Sequence, residues 1–128
     1  MQDNPTYDHV VLDVYDYLEA RIGVAVAGGV RRDHIIVDPG IGFGKTLQHN
    51  LDLLKNLSIF HGLGCPILLG ASRKKFIGTL SGAVEAQDRV AGSVAVALAG
   101  IAQGVQVLRV HDVAETVQAV KLWQAING

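Results

Sequence analysis

Arg109 and His111 stand two residues apart at the end of an apolar run, residues 105–110. In a strand both project from one face with Val107, while Leu108, Val110 and Asp112 take the other. Arginine in such a strand is costly to bury unpaired, so the guanidinium must reach an anion or a carboxylate. With His111 it makes a two-pronged donor set suited to phosphate. The competing reading is a structural ion pair, with Asp38 as partner. Asp38 closes a second apolar run, residues 35–37, and its carboxylate can accept from a nitrogen heterocycle bearing paired N–H donors. It can equally be a turn-forming aspartate ahead of Pro39-Gly40. A third run, residues 66–69, leads into Ser72-Arg73-Lys74-Lys75. Strand-end placement favours a pocket for Ser72 and Lys74, whereas Lys75 reads as solvated and Arg73 stays open between the two. Asp112 reads as a helix cap.

The glycine run at residues 40–46 fails two familiar patterns. A phosphate-binding P-loop needs glycine five residues before Gly44, where Pro39 stands. In the dinucleotide fingerprint the third glycine would come one residue later. What remains is a loop whose glycines admit a ligand to the backbone, with Phe43 as an aromatic wall. Lys45 reads equally as a solvated lysine or a ligand.

These residues need a frame that brings three run ends together. Helical periodicity covers about 8–27, with Val10, Val14, Leu18 and Ile22 on one face, Thr6 as cap and Gly28-Gly29 as stop. A second helix is predicted over 47–61, with Leu47, Leu51, Leu54 and Leu57 aligned and Gly62 ending it. A loop containing Ser81-Gly82 precedes a third helix over 89–103, and a last one runs over 113–126. The order is helix, then three strand–helix units with no hairpin signal, so the sheet is parallel and the class α/β. In such folds ligands bind at the C-terminal edge of the strands. Three strands cannot close a barrel, which needs eight strands and about 250 residues.

Composition limits the alternatives. Eleven basic and twelve acidic residues leave a net charge of −1, so no general electrostatic grip on nucleic acid or anionic membrane follows. Hydrophobic residues are 49% and charged ones 18%, against roughly 25% charged in a typical soluble domain, which excludes disorder. Either the core is buried on all sides or apolar surface expects a partner. Cys65 is the single cysteine, reads as a small buried hydrophobe, and excludes a disulfide framework or cysteine-based zinc site. The first residues lack the pattern of a signal peptide, and the apolar stretch 90–102 is too short for a bilayer, so a soluble cytoplasmic protein is expected.

DPGIGFGKT at 38–46, GASRKKFIG at 70–78 and RVHDV at 109–113, with NPTY at 4–7, together resemble the dihydropteroate synthases of folate biosynthesis. The resemblance implies a partial pterin-binding domain over 1–128. It would be the C-terminal half of a TIM (β/α)8 barrel, its three strands being the sixth to eighth. That family joins para-aminobenzoate to 7,8-dihydropterin-6-ylmethyl diphosphate and releases pyrophosphate with Mg²⁺ assistance. By resemblance Asp38 holds the pterin nitrogens, and Lys74 contacts pterin and aminobenzoate. Arg109 lies against the pterin and, with His111, holds the diphosphate. Phe43 and Ser72 border the aminobenzoate and sulfonamide site, Gly42 and Gly70 permit close approach, and Arg73 belongs to the same substrate-binding motif. Lys74, Arg109 and His111 are the expected catalytic set. No metal ligand is expected among these residues, because the family's metal-contacting asparagine lies in the N-terminal half.

With the first five strands' residues not in this sequence, the chain is expected to be a fragment inactive alone. Ala91, Ala95 and Ala99 form a small-residue ridge beside Gly92 and Gly100 on a helix apolar nearly all round, which predicts burial on both sides. Homodimerisation through the helix at 89–103 and the last helix follows by resemblance. The alternatives are a pterin-binding corrinoid methyltransferase module and a non-catalytic protein-interaction module.

Overall fold

A computed structural model describes residues 7–128. The first helix, α1, spans Val10–Ala27 and buries Val10, Val14 and Ile22 with Val11, with Leu18 partly covered. Its cap is His9, whose Nδ1 accepts from the Leu12 N–H at 3.4 Å. The Thr6 cap and residues 4–6 of the NPTY run lie outside the described residues.

The parallel order is as read, but the strands are short. Val37 bridges Ile67, donating to the Pro66 carbonyl at 2.9 Å and accepting from Leu68 at 2.8 Å. β1, Leu68–Leu69, pairs in parallel with β2, Val107–Leu108, in the register Leu68 to Val107 and Leu69 to Leu108. Of the run 35–37 only Val37 is fully buried, and Ile36 is 54% exposed. Neither outer edge has a neighbouring strand among the described residues.

The second predicted helix divides. α2, Leu47–Lys55, opens on a capping box in which Thr46 and His49 each accept the other's backbone N–H. It ends at Asn56 and gives way to a 3-10 segment, Leu57–Leu63, stopped by Gly64 at φ 75° and not by Gly62. Three residues per turn align Leu57, Phe60 and Leu63 beneath α1, so the inward set is these with Leu53, while Leu47 is exposed.

The expected loop after Lys75 is instead a helix, α3, Lys75–Ser81, which buries Phe76 and Ile77 and stops at Gly82. α4, Val90–Ala102, and α5, Val113–Asn127, lie side by side and match their predicted spans closely. Within this chain α4 is covered on one side, burying Ser93, Ala97 and Gly100, while Ala91, Ala95 and Ala99 face outward. Its glycines serve this chain's own packing, Gly92 against Ile77 and Gly100 against Leu69. Cys65 is buried, with Sγ 3.8 Å from the Leu63 carbonyl, as a small hydrophobe should be. No helix among the described residues is long and apolar enough to cross a membrane.

Candidate functional site

Two cavities adjoin at the C-terminal ends of the strands, with Lys74 lining both. One, about 430 Å³, is walled by Phe43, Phe76, Leu47, Asn50 and Gly42. The other, about 360 Å³, is walled by Gly70, Ser72, Arg109, Val110 and His111. The first joins aromatic faces to Lys45, Lys74 and Lys75, and the second gathers Lys74, Arg109 and His111.

The glycine loop forms the outer wall. Ile41 is its apolar anchor at 1% exposure, which leaves Phe43 raised and 54% exposed. Gly42 has φ 87°, and a Cβ there would lie 2.9 Å from Lys74 Cδ. Its missing side chain therefore makes room for Lys74 and not, as the sequence suggests, directly for a ligand. Lys74 Nζ donates to the Ile41 carbonyl and sits 4.1 Å from the Phe43 ring centroid, within cation–π range. Burial lowers the Lys74 pKa, Arg109 lowers it further, and Asp38 opposes both.

Asp38 is a turn aspartate, accepting from the Gly40 N–H at 2.8 Å through Oδ1, and Oδ2 has no partner among the described residues. The two readings of this residue are therefore compatible. No Arg109–Asp38 ion pair forms: the Arg109 side chain is exposed and makes no hydrogen bond or salt bridge among the described residues. Its backbone N–H donates to Leu69 at 3.0 Å, so the strand fixes its base while the guanidinium stays free.

Two sequence expectations are corrected. Asp112 occupies the cap position of α5, but its carboxylate makes no capping bond. It is taken instead by Arg73, at 3.0 Å from Nε to Oδ2 and 2.6 Å from Nη2 to Oδ1. This bidentate pair raises the Arg73 pKa and lowers that of Asp112 through the shared hydrogen bonds. Arg73 thus faces α5 and is absent from the cavity wall, because its own backbone is left-handed at φ 59°. Ser72 does line the cavity, yet it is buried with Oγ 3.1 Å from the His111 N–H and 3.0 Å from Nδ1. Gly70 lies beside Arg109, and a Cβ there would meet only ordinary contacts.

Two supporting residues are not signalled by the sequence. Asn50, 4% exposed, accepts from the Gly42 N–H at 2.8 Å and ties the loop to α2. Arg89 ties the 83–84 turn to Arg73, donating to the Ala83 carbonyl at 2.8 Å and the Arg73 carbonyl at 2.9 Å. Neither contact has a local signal, since each partner is remote or is backbone. Lys45 lines the first cavity and is half-buried, with Nζ donating to the Gly40 carbonyl at 2.8 Å and the Phe43 carbonyl at 3.0 Å, so it braces the glycine loop.

Burial, then the nearby Lys74, brings the Lys45 pKa from 10.5 down to about 8, against the pull of Asp38. Between about 8 and 10.5 the folded chain therefore binds fewer protons at this site than the unfolded chain. Lys45 should make stability rise with pH across that window. Denaturant titrations at pH 7.5 and 10 of wild type and Lys45→Met check this, and equal slopes in both proteins would refute it.

The family model described as pterin binding enzyme matches residues 1–111, and the chain belongs to that family. Its strands and helices are part of a (β/α)8 barrel. Within the family it resembles the C-terminal portion of dihydropteroate synthases. The Neisseria meningitidis serogroup B enzyme is 49% identical over 99% of this chain, which covers 46% of that protein. A Xanthomonas albilineans dihydropteroate synthase solved with 7,8-dihydropteroate superposes at a TM-score of 0.97, with 44% identity over all of this chain and 48% of that one. The Thermus thermophilus enzyme solved with 4-aminobenzoate gives 0.92 and 46% identity, over 96% of this chain and 49% of the other. The chain thus spans about half the length of the relatives it matches.

Proposed function

We propose that this chain carries the diphosphate, pterin and aminobenzoate contacts of a dihydropteroate synthase. The observation that carries the reading is the adjoining pair of cavities, both bearing cations and one also walled by Phe43 and Phe76, sharing Lys74. In the reaction the aminobenzoate nitrogen attacks the pterin methylene carbon and its C–O bond to diphosphate breaks. The bonding pair leaves with the diphosphate, and the new amine loses a proton. Charge builds on the leaving oxygen, so fixed donors there lower the barrier. Arg109, His111 and Lys74 are those donors, and Asp38 Oδ2, without a partner among the described residues, suits the pterin N–H groups. Phe43 stands where a flat ring would stack. Among the described residues no three His, Cys, Asp or Glu side chains gather as a metal-binding set. The Mg²⁺ of the proposed reaction would be held by an asparagine outside this sequence, as the resemblance implies, and would offset charge on the leaving diphosphate.

Two measurements test this. The 128-residue chain should bind 7,8-dihydropterin-6-ylmethyl diphosphate saturably in a calorimetric titration, and absence of heat would defeat the assignment. It should release no pyrophosphate when para-aminobenzoate and Mg²⁺ are added, because half of the relatives' length is not represented. Aminobenzoate-dependent release would overturn that inactivity.

We also propose a cytoplasmic homodimer formed through the outer face of α4 with α5. The support is the exposed Ala91, Ala95 and Ala99 ridge, with Leu122 61% exposed and Ile126 80% exposed on α5. Val96 packs against the chain's own core, so charge there would unfold the monomer, and the clean probe is Ala95→Asp. Light scattering should show the dimer mass fall to that of a monomer. An unchanged mass would exclude this face.

A further inference from the structure

The chain after β1 and the chain after β2 are joined by two adjacent rungs, Ser72 with His111 and Arg73 with Asp112. We infer that Ser72 and Arg73 are positioning residues, a two-rung clamp that fixes the ring orientation and tautomer of His111 for anion binding. This rests on the diphosphate reading of the cavity.

The geometry begins at Arg73. Its φ of 59° is unfavourable for a residue with a side chain, and such conformations persist only where neighbours over-determine them. Four contacts do so. The Arg73 N–H donates to Ser93 Oγ at 2.8 Å, and its carbonyl accepts from Arg89 Nη1 at 2.9 Å. Its guanidinium grips Asp112 with two bonds. The reversal turns Ser72 and Lys74 into one cavity and sends Arg73 to the far side.

Ser72 then acts on His111. Its Oγ accepts the His111 backbone N–H at 3.1 Å, which fixes the hydroxyl and leaves its hydrogen for Nδ1 at 3.0 Å. With Nδ1 accepting, the hydrogen of the neutral ring sits on Nε2. That nitrogen is then a donor whether the ring is neutral or charged, as an anion requires. Asp112 is the next residue in the chain, so the Arg73 pair holds the backbone from which His111 projects.

Long-range ¹H–¹⁵N spectra of the ring in the 128-residue chain test this without any ligand. The wild-type neutral ring should be the Nε2–H tautomer, and a predominant Nδ1–H form would overturn the clamp even if no variant folds. Ser72→Ala should give mixed tautomers and weaken inorganic pyrophosphate binding about fivefold. Ser72→Thr, which keeps Oγ, should restore the wild-type ring signals. Unchanged ring signals in Ser72→Ala would overturn the inference while leaving the diphosphate reading intact. Wild-type chain that shows the expected tautomer but binds no pyrophosphate would defeat the diphosphate reading and leave the clamp standing.

Discussion

Arg109→Ala weakens pyrophosphate binding by about 2 kcal/mol, roughly thirtyfold, with the unfolding midpoint unchanged, when both are measured on the same chain. Both halves of that expectation come from one feature. The Arg109 backbone is held in the β1–β2 ladder by its bond to Leu69, whereas the side chain touches no partner among the described residues. Removing it deletes no side-chain hydrogen bond or ion pair among the described residues. A hydrogen bond from a cationic group to an anion is worth more than a neutral one, and arginine can supply two at once. Arg109→Lys should therefore recover only part of the loss, because an ammonium keeps the charge but not the fork. Lys121→Ala, on α5, serves as the control for general charge. Equal losses for Arg109→Ala and Lys121→Ala would show that the cavity is not an anion site.

Arg109 is legible in the sequence because a charge within an apolar strand breaks a local pattern. The same holds for the strand order, since 35–37, 66–69 and 105–110 are short apolar runs separated by helical periodicity. The expected α4 and α5 spans also agree with the structure, α4 as a long apolar stretch and α5 as one with recurring apolar positions. The division of the 47–61 helix is not legible, because Leu57, Phe60 and Leu63 suit a turn of three residues as well as one of 3.6. α3 reads as a loop because its basic start and Gly82 leave room for only two buried apolar residues, Phe76 and Ile77. At the site, residue types lead to the right neighbourhood for Lys74, His111 and Phe43. They do not reveal that Arg73 turns away or that Asp112 leaves its cap. Those outcomes depend on a positive φ at one residue and a partner 39 positions away. Long-range pairing of polar groups has no local signature, and the same reason hides Asn50 and Arg89.

Gly100→Leu destabilises the monomer by about 3 kcal/mol, whereas its neighbour Ala99→Leu is close to neutral there. The contrast follows from how α4 meets the sheet. A Cβ at Gly100 would lie 2.5 Å from Leu69 Cδ2 and 3.6 Å from Val105 Cγ2, so even one carbon displaces the buried Leu69 side chain, and a whole leucine has no room without a shift of α4 on β1. Helix propensity favours any residue over glycine by up to about 1 kcal/mol, which offsets only part of that overpacking. Ala99 points outward from the same helix, where leucine meets no atoms of its own chain's core. Ordinary domains are stable by about 5–15 kcal/mol, so the loss at Gly100 should lower the urea midpoint clearly. The displacement also reaches the site, because Leu69 continues through Gly70 and Ala71 to Ser72, and its carbonyl holds Arg109. Gly100→Leu should therefore weaken pyrophosphate binding although it lies across the sheet from the cavity. Ala99→Leu should leave binding unchanged in the monomer. Equal urea midpoints for the two variants would show that α4 does not sit on β1 with Gly100 against Leu69.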